Sequence, residues 1–205
     1  MHHFTTLTIR SCRRLAPLLL AALVGCASTP PPPPPPAPEP APVAKPSVVL
    51  PIAQLDRGVQ IVLPDTVLFQ SGKAELNIIA AAPYLDRIAV LLTTKTEKLI
   101  AVEGHTDSQG AAALNQKLSD QRADAVAGAL IARGIPAARV SKRGLSFSQP
   151  AAPNDVEAGR RLNRRTELIV IDETVANITK GEPANSFEDA AARVKAALEA
   201  GAGKP

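Results

Sequence analysis

A run of prolines separates a short N-terminal segment of this chain from a longer segment that can fold. Between Pro30 and Pro46, 11 of 17 residues are proline. Because proline fixes φ and lacks an amide hydrogen, this stretch cannot enter a helix interior or donate to a sheet. We expect polyproline II geometry, in which the chain from Cys26 to Lys45 would reach roughly 60 Å at about 3.1 Å per residue. The run is predicted to be a stiff spacer; the alternative is a ligand for proline-recognising domains.

The segment before the prolines has the pattern of an export signal. Three arginines precede an apolar stretch from Leu15 to Val24, interrupted only by Pro17. This stretch is too short to cross a bilayer as a helix and suits a signal-peptide core. It ends in Leu23-Val24-Gly25-Cys26, which resembles the bacterial lipobox, whose cysteine is lipidated and becomes the new N-terminus. We assign residues 1–25 to a lipoprotein signal peptide and Cys26 to lipidation; the alternative is an ordinary signal peptide with a chance cysteine.

The composition favours a globular domain after the spacer and argues against nucleic-acid binding. The chain is 45% hydrophobic and 20% charged, but only 2% aromatic, so exposed rings for base stacking are not expected. Removing the three arginines of residues 1–25 from the 23 basic residues leaves 20 against 19 acidic ones, a net charge of +1. Polyanion binding therefore loses its support. The only cysteines are Cys12 and Cys26, so neither a disulfide framework nor a cysteine metal site is expected.

Hydrophobic periodicity predicts one α/β domain from residue 54 to residue 173. Alternating apolar residues favour strands, and apolar residues every three or four positions favour helices. The predicted strands are residues 59–63, 99–103, 140–147 and 166–171, with a short extended piece at 67–69; the main helices are residues 75–92, kinked or split at Pro83, and 112–133. The order βαβαββ predicts an α/β sandwich, with a mixed sheet and two main helices on one face.

Two segments flank this domain. Residues 26–53 are predicted to hold the lipidated cysteine and the spacer. Residues 174–205 are predicted to form a tail with an amphipathic helix, because apolar residues from Phe187 to Leu198 follow helical spacing. This helix either packs on the domain, which we expect, or binds a partner.

The long helix carries an arginine where an apolar side chain is expected. Advancing 100° per residue, its apolar positions fill an arc of about 160°; they are Leu114, Leu118, Ala125, Val126, Ala129 and Leu130. Arg122 and Asn115 fall inside that arc. A buried guanidinium costs several kcal/mol unless it is paired and hydrogen-bonded. Arg122 must therefore pair within the domain or face a cleft that receives an anionic group.

Asp107 is the acidic residue best placed to meet Arg122. It lies at the end of a predicted central strand, in a loop that leads to the same helix, and α/β folds place ligands at such strand ends. An aspartate and an arginine that converge without satisfying each other would receive a zwitterion, with charge-assisted bonds to an ammonium and a carboxylate. The pattern alone equally allows an internal ion pair that only fixes the loop.

Several motifs, in order and at matching spacing, resemble the OmpA-like C-terminal domain family, which includes peptidoglycan-associated lipoproteins and flagellar stator anchors. The resemblance covers roughly residues 59–171. Its motifs are Gly104-His105-Thr106-Asp107, then Gly110, then Asn115-x-x-Leu118-Ser119-x-x-Arg122-Ala123-x-x-Val126, and finally Asn163-Arg164-Arg165-Thr166-Glu167.

The resemblance implies non-covalent binding of peptidoglycan through the diaminopimelate of its stem peptide. The family's motif aspartate and arginine, which hold the free amino-acid end of the ligand, correspond to Asp107 and Arg122. The motif asparagine corresponds to Asn115, Thr106 is expected to line the site, and Leu118 to form its wall. No cofactor or metal is implied. The implied role is to tether the outer membrane to the cell wall.

One loop departs from the family, and one basic cluster remains open to two interpretations. Relatives commonly carry an acidic residue after the phenylalanine that ends the first extended segment, whereas Phe69 is followed by Gln70-Ser71-Gly72. Phe69 and Gly72 are therefore weaker candidates for the site, with backbone N–H groups as the expected contacts.

The arginines between 160 and 165 form either a solvated patch with one member paired to Glu167, or a contact for cell-wall carboxylates. Arg165 is the candidate for that contact.

Enzymatic cleavage of the wall is not expected. After residues 1–25, His105 is the only histidine and Cys26 the only cysteine. Neither a zinc amidase site nor a cysteine peptidase site can be assembled from them. Ala27 follows the cysteine where an aspartate would signal inner-membrane retention, so an outer-membrane lipoprotein facing the periplasm is predicted. The alternative function is an envelope adaptor that uses wall binding to position a protein partner.

Overall fold

The computed structural model describes residues 48–202. The predicted signal peptide, Cys26 and the proline spacer lie outside the described residues. Within residues 48–202, no helix combines the length and apolar character that crossing a membrane requires.

Strands and helices follow each other along the described part of the chain. The strands are β1 (Leu50–Leu55), β2 (Gly58–Pro64), β3 (Ile100–His105), β4 (Val140–Gly144), β5 (Arg165–Ile171) and β6 (Phe187–Asp189). The helices are α1 (Asp65–Leu68), α2 (Ile78–Thr94), α3 (Ala112–Ile131), α4 (Glu157–Asn163), α5 (Val175–Thr179) and α6 (Ala190–Ala202), with a 3-10 turn at Ala137–Arg139.

The strands form one mixed sheet in the order β4-β3-β5-β2-β1-β6. β5 pairs antiparallel with both β2 and β3, β1 pairs antiparallel with β2, and the pairs β3–β4 and β1–β6 are parallel. Buried side chains of α2 and α3 share one hydrophobic cluster with alternate residues of the central strands. The predicted mixed sheet with two main helices on one face is confirmed.

The sheet has two strands that the sequence pattern did not predict. Residues 50–53 were assigned to the tether, but Leu50 and Ile52 are buried core residues of β1. Their alternation was hidden because Pro51 stands between them, directly after a proline-rich region. In the tail, α6 begins at Ala190, because residues 187–189 extend alongside β1 as β6. The tail therefore packs on the domain, as expected.

Three local predictions need correction. Val67 and Leu68, predicted to extend, belong to the helical turn α1, and Phe69 is extended but makes only an isolated bridge to Leu76. Of the kink or split predicted at Pro83, the split does not occur, because α2 continues through Pro83 from Ile78 to Thr94; the carbonyl that Pro83 leaves without a donor belongs to Ile79, an exposed residue. β4 ends at Gly144 instead of residue 147, because Ser146 adopts a positive φ of 49° and turns the chain.

Two glycines allow α3 to approach the sheet closely. Gly104 and Gly144 are cross-strand neighbours on β3 and β4. A Cβ on Gly104 would overlap the carbonyl oxygen of Ser119, and a Cβ on Gly144 would overlap the Ser119 side chain and the Asp120 amide. Ser119 Oγ also accepts a hydrogen bond from the Ser146 amide at 3.1 Å. This contact fixes α3 against the ends of β3 and β4, and thereby places Asn115 and Arg122.

The sheet face opposite α2 and α3 carries a charge network around two buried carboxylates, those of Glu103 and Glu167. Glu103 and Glu167 lie directly across from each other on β3 and β5, a repulsive pairing. Arg57 and Arg143 donate to Glu103, and Arg165 donates to Glu167 at 2.6 Å. Burial would raise the pKa of Glu103, but the hydrogen bonds from Arg57 and Arg143 lower it.

His105 lies beside this network and stays neutral at physiological pH. Burial, the largest cause, and the charge of Arg165 lower its pKa to about 4, against the attraction of Glu167 and Glu103. Neither ring nitrogen has a hydrogen-bond partner among residues 48–202.

We expect Gly104→Ala to lower the free energy of unfolding by about 3 kcal/mol, because the added methyl group meets backbone that cannot rotate away. Gly128→Ala is the matched control: it lies within α3 with nothing near its Cβ position, and should stabilise by about 0.5–1 kcal/mol. Urea unfolding measures both. Equal effects of the two substitutions would contradict the close approach of α3.

We expect His105 to make the protein less stable as the pH falls from 6.5 towards 4. Over this range His105 becomes protonated in the unfolded chain but stays neutral in the folded protein. The free energy of unfolding therefore falls below its value above pH 6.5, by about 2–3 kcal/mol at pH 4.5. His105→Gln should reduce the loss measured by urea unfolding between pH 7.5 and pH 4.5 by that amount. Parallel pH dependences of the variant and the parent would show that His105 is not buried in its neutral form.

Candidate functional site

The acid and the arginine that the sequence paired each have another partner. Nη2 of Arg122 lies 2.8 Å from Oδ2 of Asp65, and its Nε donates to the Lys73 carbonyl at 3.0 Å. Oδ2 of Asp107 accepts from Nη1 of Arg164 at 2.6 Å. The structure thus contains two ion pairs where the sequence predicted one acid facing one base.

The topology of the sheet brings the two pairs to one edge. β2 and β3 both run antiparallel to β5, so the ends of β2 and β3 and the start of β5 lie on the same side. Asp65 directly follows β2, Asp107 follows β3 by two residues, and Arg164 directly precedes β5. The Asp65 amide donates to the Arg164 carbonyl at 3.0 Å, so the end of β2 is joined to the start of β5.

We call Asp65, Asp107, Arg122 and Arg164 the charge cluster, because their charges act on one another. Burial raises the pKa of Asp65 to about 6; Arg122 and Arg164 lower it, and Asp107 raises it. Burial also lowers the pKa of Arg122, against the attraction of Asp65 and Asp107. The cluster contains two acids and two bases, so it is neutral overall when all four are ionised.

Arg122 is the more enclosed of the two bases. Its side chain is 2% exposed, compared with 29% for Arg164. The guanidinium carbon lies 5.2 Å from the centre of the Phe69 ring, within the range of a cation–π contact. Gly72, with a positive φ of 71°, is exposed in the turn that leads to Lys73. The loop after Phe69 therefore covers Arg122 from one side.

Asn115 positions the loop that carries Asp107. Its Nδ2 donates to the Gln109 carbonyl at 2.8 Å and to the Asp107 carbonyl at 3.4 Å. Oδ1 of Asp107 accepts from the Gln109 amide at 3.0 Å, which closes a local turn. Thr106 is buried, and its hydroxyl has no partner in the described part of the chain. Leu118 is half-buried.

Arg165 lies outside the charge cluster. Its side chain is on the opposite sheet face, where Nε donates to Glu167; the predicted pairing of one arginine with Glu167 is confirmed. Because side chains alternate along a strand, Arg165 and Thr166 point to different faces. The arginine that reaches Asp107 is instead Arg164, the residue between α4 and β5.

The sequence pattern missed Asp65 and Arg164 because their roles depend on strand order. Asp65 follows a strand whose neighbour in the sheet is β5, far away in sequence. The available signal was that acids follow both β2 and β3, which becomes informative only once the two strands are known to run the same way. The predicted apolar face of α3 is confirmed for most of its residues, since Val126 and Leu130 are buried and Ala125 and Ala129 pack against the core; Leu114, however, is 68% exposed.

One group could be considered for a metal ion. Ligand atoms of Glu103, His105 and Glu167 lie within 4.8 Å of one another. The carboxylates, however, already accept from three guanidinium groups, of Arg57, Arg143 and Arg165. A divalent cation would have to enter next to these positive charges, so this arrangement suits an internal network better than a metal centre.

Comparison with known proteins matches the same region. The model of the OmpA family matches residues 68–164. Outer-membrane lipoprotein YfiB of Pseudomonas aeruginosa is 35% identical over 152 residues, covering 74% of this chain and 88% of that protein. Peptidoglycan-binding protein ArfA of Mycobacterium tuberculosis is 34% identical over 120 residues, covering 58% of this chain and 36% of that protein.

A solved structure shares the fold. The cell wall anchor of the T6SS from Pseudomonas aeruginosa aligns with a TM-score of 0.55 at 32% identity, over 60% of this chain and 87% of the other. With the extended match to YfiB, the family model and the motifs at the edge of the sheet, the chain belongs to the OmpA family.

Proposed function

We propose that this protein binds peptidoglycan non-covalently, through the diaminopimelate of the stem peptide, at the charge cluster. The observation that carries the proposal is the convergence of Asp65, Asp107, Arg122 and Arg164 at one edge of the sheet. The free end of diaminopimelate is a zwitterion. A cluster with two acids and two bases offers charge-assisted bonds to both of its groups without a change in net charge.

Two buried acceptors strengthen the case for an ammonium ligand. Oδ1 of Asp65 and the hydroxyl of Thr106 have no hydrogen-bond partner within residues 48–202. Buried polar atoms are rarely left in this condition, because each costs about 1–3 kcal/mol. An ammonium with three donors at this edge of the sheet is the kind of group that would satisfy such atoms.

Binding without cleavage is part of the proposal. His105, the only histidine after residue 25, lies on the sheet face opposite α2 and α3 with Glu167, and away from the charge cluster. The four charged groups that do converge offer ion pairing and hydrogen bonding. The names of ArfA as a peptidoglycan-binding protein and of the T6SS protein as a cell wall anchor support the same function.

The proposed cellular role is to tether the outer membrane to the wall from the periplasmic side. A lipid on Cys26 would supply the membrane attachment, and the proline-rich segment would hold the binding domain at a distance. The similarity to an outer-membrane lipoprotein supports this location.

We expect Asp107→Asn to weaken binding to diaminopimelate-type sacculi about 10-fold or more, since a charge-assisted bond contributes about 1.5–3 kcal/mol. The measurement is co-sedimentation with purified sacculi of residues 27–205, a segment that includes all of residues 48–202. The matched control is Asp124→Asn, an exposed acid on α3 that pairs with Lys142. Equal binding by folded Asp107→Asn and the parent would remove Asp107 from the site.

Arg122 needs a different test from simple truncation. Arg122→Ala would leave Asp65 buried without its partner, at a cost of about 3–5 kcal/mol of stability. Arg122→Gln together with Asp65→Asn removes both charges at once and should keep the fold while abolishing sacculus binding. Near-UV circular dichroism checks packing. A double variant that is folded and binds fully would contradict the assignment of this pair.

We expect Cys26→Ser to abolish lipidation and release the protein from the outer-membrane fraction, because the lipid on Cys26 would supply the membrane attachment. Metabolic labelling with a fatty acid and density-gradient fractionation measure the two effects. Unchanged fractionation of an unlabelled variant would mean that another anchor exists.

A further inference from the structure

The two ion pairs of the charge cluster differ in how easily they can be opened. Asp65 and Arg122 have side chains that are 7% and 2% exposed, and Arg122 is also held by the Lys73 carbonyl and the Phe69 ring. Breaking this pair would leave two charges in a buried place, which is costly. It is the fixed pair of the cluster.

The pair of Asp107 and Arg164 has one fixed member and one movable member. Asp107 is held by its local turn to the Gln109 amide and by Asn115 behind the loop. Arg164 is 29% exposed and carries a long flexible side chain. Only the arginine can leave this pair without disturbing the backbone.

Arg164 also has a second ionic partner, Glu157, on the solvent side. Its Nη1 donates to Asp107 at 2.6 Å while its Nη2 donates to Oε1 of Glu157 at 2.9 Å. Glu157 is 52% exposed, and its hydrogen bonds to Arg164 and Arg160 lower its pKa, so it stays ionised. An arginine displaced from Asp107 therefore keeps an ionic partner.

We propose that Arg164 is an internal competitor for Asp107, which the ammonium of the ligand displaces towards Glu157. This inference rests on the proposed function and adds how the affinity of that site is set. Each bond that the ligand forms with Asp107 replaces one that Arg164 already makes, so Arg164 reduces the gain on binding without cancelling it. Arg164 is thus a positioning residue that lowers affinity, and Glu157 is the residue that makes its displacement possible.

The proposal gives opposite signs for two substitutions. Arg164→Gln removes the competitor and should tighten binding at least 3-fold. Glu157→Gln removes the place to which Arg164 moves and should weaken binding at least 2-fold. If Arg164 and Glu157 only supported the structure, both substitutions would weaken binding. Arg161→Gln is the control for loss of a positive charge, because Arg161 is an exposed neighbour on α4; it should change affinity less than 2-fold.

The measurement is isothermal titration of residues 27–205 with a soluble diaminopimelate-containing stem peptide. A second peptide, acetylated on the diaminopimelate amine, has no ammonium to compete with Arg164. The gain from Arg164→Gln should vanish with this peptide, and it should also vanish in an Asp107→Asn background.

The outcomes separate the inference from the proposed function. Failure of the parent protein to bind either the peptide or sacculi would overturn the proposed function. Binding by the parent, with Arg164→Gln equal to it or weaker, would overturn the inference alone. If Arg164→Gln does not fold, Glu157→Gln decides, since unchanged or tighter binding by that exposed variant would equally overturn it.

Discussion

The buried guanidinium of Arg122 is the constraint on which the arrangement of this edge of the sheet depends. A charge that is almost fully removed from water must be paired and hydrogen-bonded. Here this requirement is met by α1 through Asp65, by the following loop through the Lys73 carbonyl, and by the Phe69 ring. Such a pair adds little net stability compared with apolar packing. Its effect is to fix α3 against residues 65–73, a segment distant from α3 in sequence.

The positions of the other site residues follow from the close packing of α3 and from strand direction. The two glycines at positions 104 and 144 let α3 lie against β3 and β4 at Ser119, which sets where Asn115 and Arg122 can reach. The antiparallel pairing of β5 with both β2 and β3 then brings an acid, a second acid and an arginine to the same edge. The charged side chains therefore meet because the packing of α3 and the directions of β2, β3 and β5 bring their backbones together.

The sequence predicted those elements that local residue patterns determine, and it did not predict contacts that depend on the order of the strands in the sheet. Four of the described strands and the two main helices were predicted, as was the inward direction of Arg122 and Asn115, because local sequence patterns indicate them. β1 was hidden by Pro51, and β6 is too short to show a pattern. The true partners of Arg122 and Asp107 could not be inferred, because strand order, which a single sequence does not display, decides which ends meet. Arg164 and Arg165 are neighbours, and the sequence alone does not show that Arg164 contacts Asp107 while Arg165 contacts Glu167 on the opposite sheet face.

The central claim is that a zwitterionic end of the cell-wall peptide enters the charge cluster. It is tested most directly by NMR titration of residues 27–205 with the diaminopimelate-containing stem peptide, following arginine Nε–H signals and the Gln109 amide. The signals of Arg122, Arg164 and Gln109 should shift together and saturate at one affinity, while those of Arg57 and Arg165 on the opposite sheet face stay in place. Shifts confined to Arg57 and Arg165, or saturation without any change at Arg122 and Arg164, would contradict the claim.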